Sequence, residues 1–514
     1  MLRILAPILI SGLLGWLVLR LFFRPVGVWL RTAFYLALGI PIGAGLFAMC
    51  SFLTFLVVRP GTASILAAFC IPAALSGCVG YLQAIGRIFR PLPVTAGATE
   101  RSSIVAIVSI LCLVTCLAAA LLLVGYFLAY PHGMWDALAM WNARARVMFR
   151  APEFWRDVFL PDHPHPDYPL SLSFLVFTGW TALGRETQIV PFALSAVFLF
   201  AAAAIVAVGV AIWKNLAWGL VAASLILCSI GYVSLAGAQY ADVPLSAFFA
   251  ACLVSFTLAY RDGKVRVPVL TLTGAVAAWC GWIKNEGTLI LFGLTVGLLV
   301  GCVLLRRTRE WVPQAGWFWL GAAPIVAALQ YYHSLSPANY LLQSLVNGTA
   351  QQKLLDAHRW ATIAKRYGEA WWSAPGTVFP MVLILVFAWV AAGIRVEPNL
   401  RLPLIAGFCA LGVVAAAHFG AYLVTPHPLA WQLDTSANRL VLQLMPSFVF
   451  LSMALVRGEF LESRSTQEEP KETDTTGGAV LVSALPLPDC APVDPEPGGS
   501  HRQITGKRRR RRKA

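Results

Sequence analysis

The sequence predicts an all-α, polytopic membrane protein, and three observations point there. Hydrophobic residues make up 58% of the chain and charged residues only 12%, against about 25% charged in an ordinary soluble domain. The mean hydropathy is +0.72. Apolar runs long enough to cross about 30 Å of hydrocarbon recur along most of the sequence, and because lipid offers backbone groups no partner, such runs must be helices. The short alternating segments of a closed β-barrel are not seen.

In order, apolar runs near 5–23, 33–58, 62–85, 104–130, 189–213, 216–236, 243–260, 267–283, 288–305, 316–334, 377–394, 402–424 and 440–457 predict about thirteen transmembrane helices. The piece from Leu170 to Leu183 is short. Runs of about 10–14 residues lie in an interface or re-enter, so it is read as an interfacial helix within the first large loop. The first run is followed by no small-residue cleavage site with a polar flank and is expected to be a retained helix. No internal repeat is visible.

Orientation follows from basic residues in short loops, which favour the cytoplasm. With thirteen spans, the loop residues from Arg20 to Arg31, Arg87 to Arg101, Lys214, Arg261 to Arg266, Arg306 to Arg309, Arg395 and Arg401 share one side, together with the tail. The opposite face carries loops 131–188, 335–376 and 425–439. Counting Leu170–Leu183 as a fourteenth span would scatter these arginines across both faces. The expected location is therefore the cell (inner) membrane, with the loops outside and the tail cytoplasmic.

The formal net charge of +15 is explained largely by those loops and by the terminal "GKRRRRRKA". It speaks for a positive-inside bias and attraction to anionic membrane lipids, and not for nucleic acid. Residues 458–514, poor in apolar content over most of their length, are expected to be a disordered polybasic tail. Ten of the 11 cysteines lie in apolar runs and one in the tail, so no disulfide framework is expected on the outer face.

Chemistry has to be sought among polar residues at the outer face. Asp136 follows its helix closely in "YPHGMWDALAMWNARARVMF", which would hold a carboxylate near the membrane surface; the competing reading is a helix N-cap. Asp242 in "AQYADVPL" allows the same two readings. "KNEG" sets Lys284, Asn285 and Glu286 between two apolar runs with almost no loop, and ionisable residues so close to hydrocarbon tend to be paired and functional. His163 and His165, beside Asp162 and Asp167, are candidate ligands for a divalent metal ion, with plain polar surface as the alternative. Tyr168 could stack on a sugar ring, and Tyr240 joins it as a candidate substrate contact.

In their order and common side, "MWDALAMWNARARVMF", "HPHPDYPL", "QYADVPLSAF", "WIKNEGTL" and "TSANRLVLQLMP" resemble the GT-C glycosyltransferases. Within them the pattern looks like family 39, the protein O-mannosyltransferase group, and the bacterial aminoarabinose transferases that modify lipid A. The resemblance covers roughly 104–457, leaving 1–103 as additional N-terminal helices. It implies a catalytic region that takes a sugar from a polyprenyl-phosphate donor and passes it, with inversion, to a protein, lipid or glycan acceptor on the outer face. It implies Asp136 as catalytic base and Asp242 as the second acid, which shapes a substrate site. The leaving phosphate needs cations, for which Arg439, Lys284 and, behind them, Arg144 and Arg146 are the candidates, with Glu286 grouped among the substrate contacts.

Other classes stay open. A polyprenyl-linked glycan ligase or polymerase would use the same donors but a large arginine-rich outer loop, whereas 335–376 carries few basic residues. A secondary transporter should show paired inverted halves with interrupted helices near the midplane, whereas the charges here cluster at one face. A non-catalytic membrane protein would tolerate loss of Asp136.

Overall fold

The computed structural model describes residues 2–97, 102–336 and 349–458. The expected tail beyond 458, and 337–348 within the second large loop, lie outside the described residues. The helices are α1 (Ala6–Phe22), α2 (Val28–Phe55), α3 (Thr62–Ala84), α4 (Ser102–Ala129), α5 (Asn142–Arg150), α6 (Ser171–Leu183), α7 (Ile189–Trp213), α8 (Leu216–Leu227), α9 (Ile230–Gly237), α10 (Asp242–Leu258), α11 (Val267–Ile283), α12 (Thr288–Leu304), α13 (Thr308–Ser334), α14 (Thr349–Leu355), α15 (Ala357–Ser373), α16 (Met381–Ala392), α17 (Arg401–Val424) and α18 (Leu429–Met453). A small parallel ribbon pairs Phe23–Pro25 with Leu92–Val94.

Among the described residues, 8 helices are long and apolar enough to cross a membrane, or 9 if α8 and α9, which meet at a bend of 63°, form one broken span. This is a multi-pass helical membrane protein. The four remaining runs of the expected thirteen fall short of that measure for visible reasons. α10 and α11 have 17 residues each and α16 has 12, while α18 carries Asp434, Asn438 and Arg439 along its first half.

α10 is the axis of the protein. All its residues are buried, consistent with a helix apolar on every side, and α2, α7, α11 and α18 pack around it. That packing fixes Asp242, its first residue, at the end of a fully enclosed helix. The N-terminal helices join the same compact unit, with α2 against α6, α7, α10 and α11.

α1 and α2 approach closely because Ser11 and Gly15 face Gly39 and Gly43. A β-carbon on Gly15 would sit 1.8 Å from the Gly39 carbonyl oxygen, and one on Gly43 would sit 1.7 Å from that of Ser11. Lipid tails supply no hydrophobic force between helices, so this backbone-to-backbone contact is how such a pair gains its packing. Any larger residue there would force the two helices apart.

The run at 170–183 forms α6, a helix of 13 residues enclosed by protein. Residues Ser171 to Trp180 are all buried, against α1, α2, α5 and α7. The Ser173 hydroxyl donates to the Trp141 carbonyl at 2.8 Å and that of Ser171 to the Trp282 carbonyl. Its apolar face is therefore covered by protein.

Candidate active site

Four elements deliver charged side chains to one place at the end of α10. The first is the helical stretch leading into α5, which contains a π-helical turn over Ala137–Trp141 immediately after Asp136. Such turns are rare and frequent at functional sites. Asp136 itself has helical backbone angles and makes no capping hydrogen bond. Its carboxylate turns away from the helix end and meets Arg439.

The second element is the turn from α9 to α10, where Gln239 takes φ 59°, a conformation that costs a non-glycine residue free energy. It presents Tyr240 and Asp242. The third is the break between α11 and α12: Lys284 is extended (φ −160°, ψ 146°), and a β-carbon on Gly287 would lie 2.0 Å from the Cys280 carbonyl oxygen. That turn needs glycine. The fourth is α18, which carries Arg439.

A chain of ion pairs joins them. One terminal nitrogen of Arg439, Nη2, lies 2.5 Å from Asp136 Oδ2 and 3.0 Å from Asp242 Oδ2. Lys284 Nζ lies 3.2 Å from Asp242 Oδ1 and 3.1 Å from Glu286 Oε1. The Arg439 guanidinium also sits over the Tyr240 ring, 4.2 Å from its centroid. Such a contact adds roughly 0.5–2 kcal/mol depending on desolvation.

The members differ in what they have left to offer. Asp242 is wholly buried and both its oxygens are engaged, which suits an anchor for the two cations. Asp136 keeps 12% of its side-chain surface exposed and Arg439 keeps 21%. Arg439 Nε has no hydrogen-bond partner. Burial works against the Lys284 ammonium, but the Asp242 and Glu286 carboxylates outweigh it and hold its pKa above that of an ordinary lysine.

The "HPHPDYPL" loop covers one side. Arg144 is fully buried and donates to the Tyr168 carbonyl at 2.7 Å, to that of Pro164 at 2.8 Å and to that of His165. Tyr332 donates to the Tyr168 carbonyl at 2.7 Å. So Arg144 holds this loop in place and is not directed at the ion pairs. The loop in turn presents Asp167, which accepts from Asn285 Nδ2 at 2.6 Å, and Tyr168, whose hydroxyl lies 3.4 Å from Glu286 Oε1. The Tyr168 ring stacks on Trp141 and His165.

Burial is the main influence that lowers the pKa of both His163 and His165. Among the described residues no three His, Cys, Asp or Glu side chains come together as a metal site. A separate cleft of about 230 Å³ is lined by His132, Asn142, Arg146, Arg150, Trp180, Glu186 and Gln188. There Glu186 pairs with Arg146 at 3.3 Å and with Arg150. It excludes the Asp136–Arg439 group.

Of the residues singled out in the sequence, Asp136, Tyr240, Asp242, Lys284, Glu286, Arg439 and Tyr168 are brought together, with His165 beside them. Arg144 and His163 stand behind the loop. Sequence reasoning passed over His418 and Tyr422 of α17, which are close enough to Asp242 and Lys284 to feel their charges. It also passed over Gln443, one turn beyond Arg439. A lone histidine or glutamine inside an apolar run was the available signal. Comparison with known proteins finds no matching family model, no similar curated protein and no similar solved structure.

Proposed function

We propose that this protein is a membrane glycosyltransferase of GT-C type, which moves a sugar from a polyprenyl-phosphate donor to an acceptor on the outer face of the cell membrane. The observation that carries this reading is the single guanidinium shared by Asp136 and Asp242 at the mouth of the central helix, with Lys284 behind it. A phosphodiester is the kind of anion that can take over a guanidinium's hydrogen bonds.

In the proposed reaction the donor phosphate draws Arg439 from Asp136. The Asp136 carboxylate is thereby freed to accept the proton of an acceptor hydroxyl, whose oxygen attacks the anomeric carbon. The bond from that carbon to the phosphate oxygen breaks. Polyprenyl phosphate leaves with the electron pair, and its charge rests on Arg439 and Lys284. Displacement in one step inverts the anomeric centre, and Asp242 keeps both cations in position throughout.

In this reading the helices that fall short of full spanning length complete a thirteen-span bundle with the ion pairs facing outward. Orientation is testable on its own. A cysteine introduced at Leu160 should react with an impermeant thiol reagent in intact cells, and one at Thr308 should not; reaction at 308 alone would reverse the topology. For the activity, purified protein in nanodiscs supplied with prenyl-phosphate sugars and mixed cell-envelope acceptors should release free prenyl phosphate. Absence of release from every donor would remove the proposal.

A further inference from the structure

Resting on that reading, we infer that Glu286, His418 and Gln443 form a polar floor beneath Arg439 that takes the hydroxyl groups of the transferred sugar.

The observation is a set of buried polar atoms with no hydrogen-bond partner on three elements, two of which also carry members of the ion pairs: Glu286 Oε2, His418 Nε2, Arg439 Nε and both side-chain atoms of Gln443. Buried polar groups in folded proteins are nearly always satisfied, and an unsatisfied group calls for a cause. In a helical bundle within lipid that expectation is stricter, because water is scarce.

Their placement is shared. Gln443 follows Arg439 by four residues on α18, so the two side chains lie one above the other on one face. Gln443 is fully buried and His418 is 2% exposed. His418 Nδ1 is 3.5 Å from the Tyr367 hydroxyl, which leaves Nε2 turned to other company, and His418 lies within electrostatic reach of Glu286, Lys284 and Asp242. Glu286 spends one oxygen on Lys284 and Tyr168 and keeps the other spare.

The mixture of atoms selects the ligand class. Arg439 Nε and Gln443 Nε2 donate, Glu286 Oε2 and Gln443 Oε1 accept, and the imidazole nitrogen does either according to tautomer. A phosphate needs only donors and a cation only acceptors. A ring bearing several hydroxyls, each able to donate and accept, meets all five atoms. Such a floor also confers selectivity, because an analogue lacking a hydroxyl leaves buried groups unpaired.

The test uses the full chain in nanodiscs and two kinds of probe: a sugar-free prenyl phosphate, and the same lipid bearing a hexosyl, aminohexosyl or pentosyl group. Wild type should bind at least one glycosylated probe about tenfold or more tightly than the sugar-free lipid. Gln443→Leu and His418→Phe should each remove about tenfold or more of that affinity, the loss typical of a missing hydrogen bond to a buried group. Neither should alter binding of sugar-free prenyl phosphate, and Gln443→Leu, which replaces an amide with both atoms unpaired by an apolar group, should not lower the melting temperature; His418→Phe also gives up the bond to the Tyr367 hydroxyl, so the binding difference between the two kinds of probe is its readout. Unchanged binding of the glycosylated probes by both variants, equal losses on both kinds of probe, or no gain from any sugar would each overturn the inference and leave a floor that holds only water. Failure of wild type to bind even the sugar-free lipid would instead remove the functional reading on which the inference rests.

Discussion

Asp136→Asn is expected to lower sugar transfer by about 10²–10⁴-fold, the range for loss of a general base, while the protein inserts and folds normally. The amide keeps the size of the carboxylate and can still accept from Arg439, whose charge stays balanced by Asp242 at 3.0 Å. What it cannot do is take a proton. A second consequence separates this role from a purely structural one. In wild type the donor phosphate must compete with Asp136 for Arg439, so Asp136→Asn should bind the donor at least as tightly as wild type while turning it over far more slowly. The check is donor affinity and single-turnover transfer measured side by side. Transfer within a few-fold of wild type would mean that Asp136 only pairs with Arg439.

Arg439→Lys is expected to weaken donor binding by about tenfold or more, although it preserves the charge. Nη2 of Arg439 reaches both Asp136 and Asp242, and in the proposed reaction a phosphate that takes over the place of Asp136 meets the terminal nitrogens of one planar guanidinium. Lysine offers a point charge without that fork. Arg439→Ala should bind the donor still less well. It should also destabilise the protein, because Asp242 would remain buried with Lys284 as its one cation. Losing a partner from a buried pair costs roughly 3–5 kcal/mol, and the 21% exposure of Arg439 places the effect at or below the lower end. An arginine that merely reached for the interface would accept lysine with no change in donor affinity. Equal affinities for wild type, Arg439→Lys and Arg439→Ala would shift the phosphate to Lys284.

The helical membrane class was legible because hydrocarbon permits so few solutions to an apolar chain. The count of spans was less so. α10, α11 and α6 are apolar for reasons of internal packing, and an apolar run reads alike whether its surroundings are lipid or protein. α6 is the plainest case, with Ser171 to Trp180 all buried among neighbouring helices.

Legibility of the site divides the same way. Asp136, Asp242, Lys284 and Glu286 stood out as charges set against apolar runs, and their grouping around Arg439 follows that signal. Their partners could not be read, since the pairs span 303 residues from Asp136 to Arg439 and 42 from Asp242 to Lys284. Arg144 illustrates the limit. As a sequence feature it is one more arginine near an acid, and only its bonds to the carbonyls of Pro164, His165 and Tyr168 show that it holds a loop. His418 and Gln443 gave no comparable signal because each is a single polar residue inside an apolar helical run.

The most direct test of the glycosyltransferase reading is to delete the gene in its host and compare polyprenyl-phosphate sugars and surface glycoconjugates by mass spectrometry. The expected result is accumulation of one polyprenyl-phosphate sugar together with loss of that sugar from one envelope component, both reversed by the wild-type gene but not by Asp136→Asn. Unchanged lipid-linked sugars and unchanged glycoconjugates, or full restoration by Asp136→Asn, would contradict it.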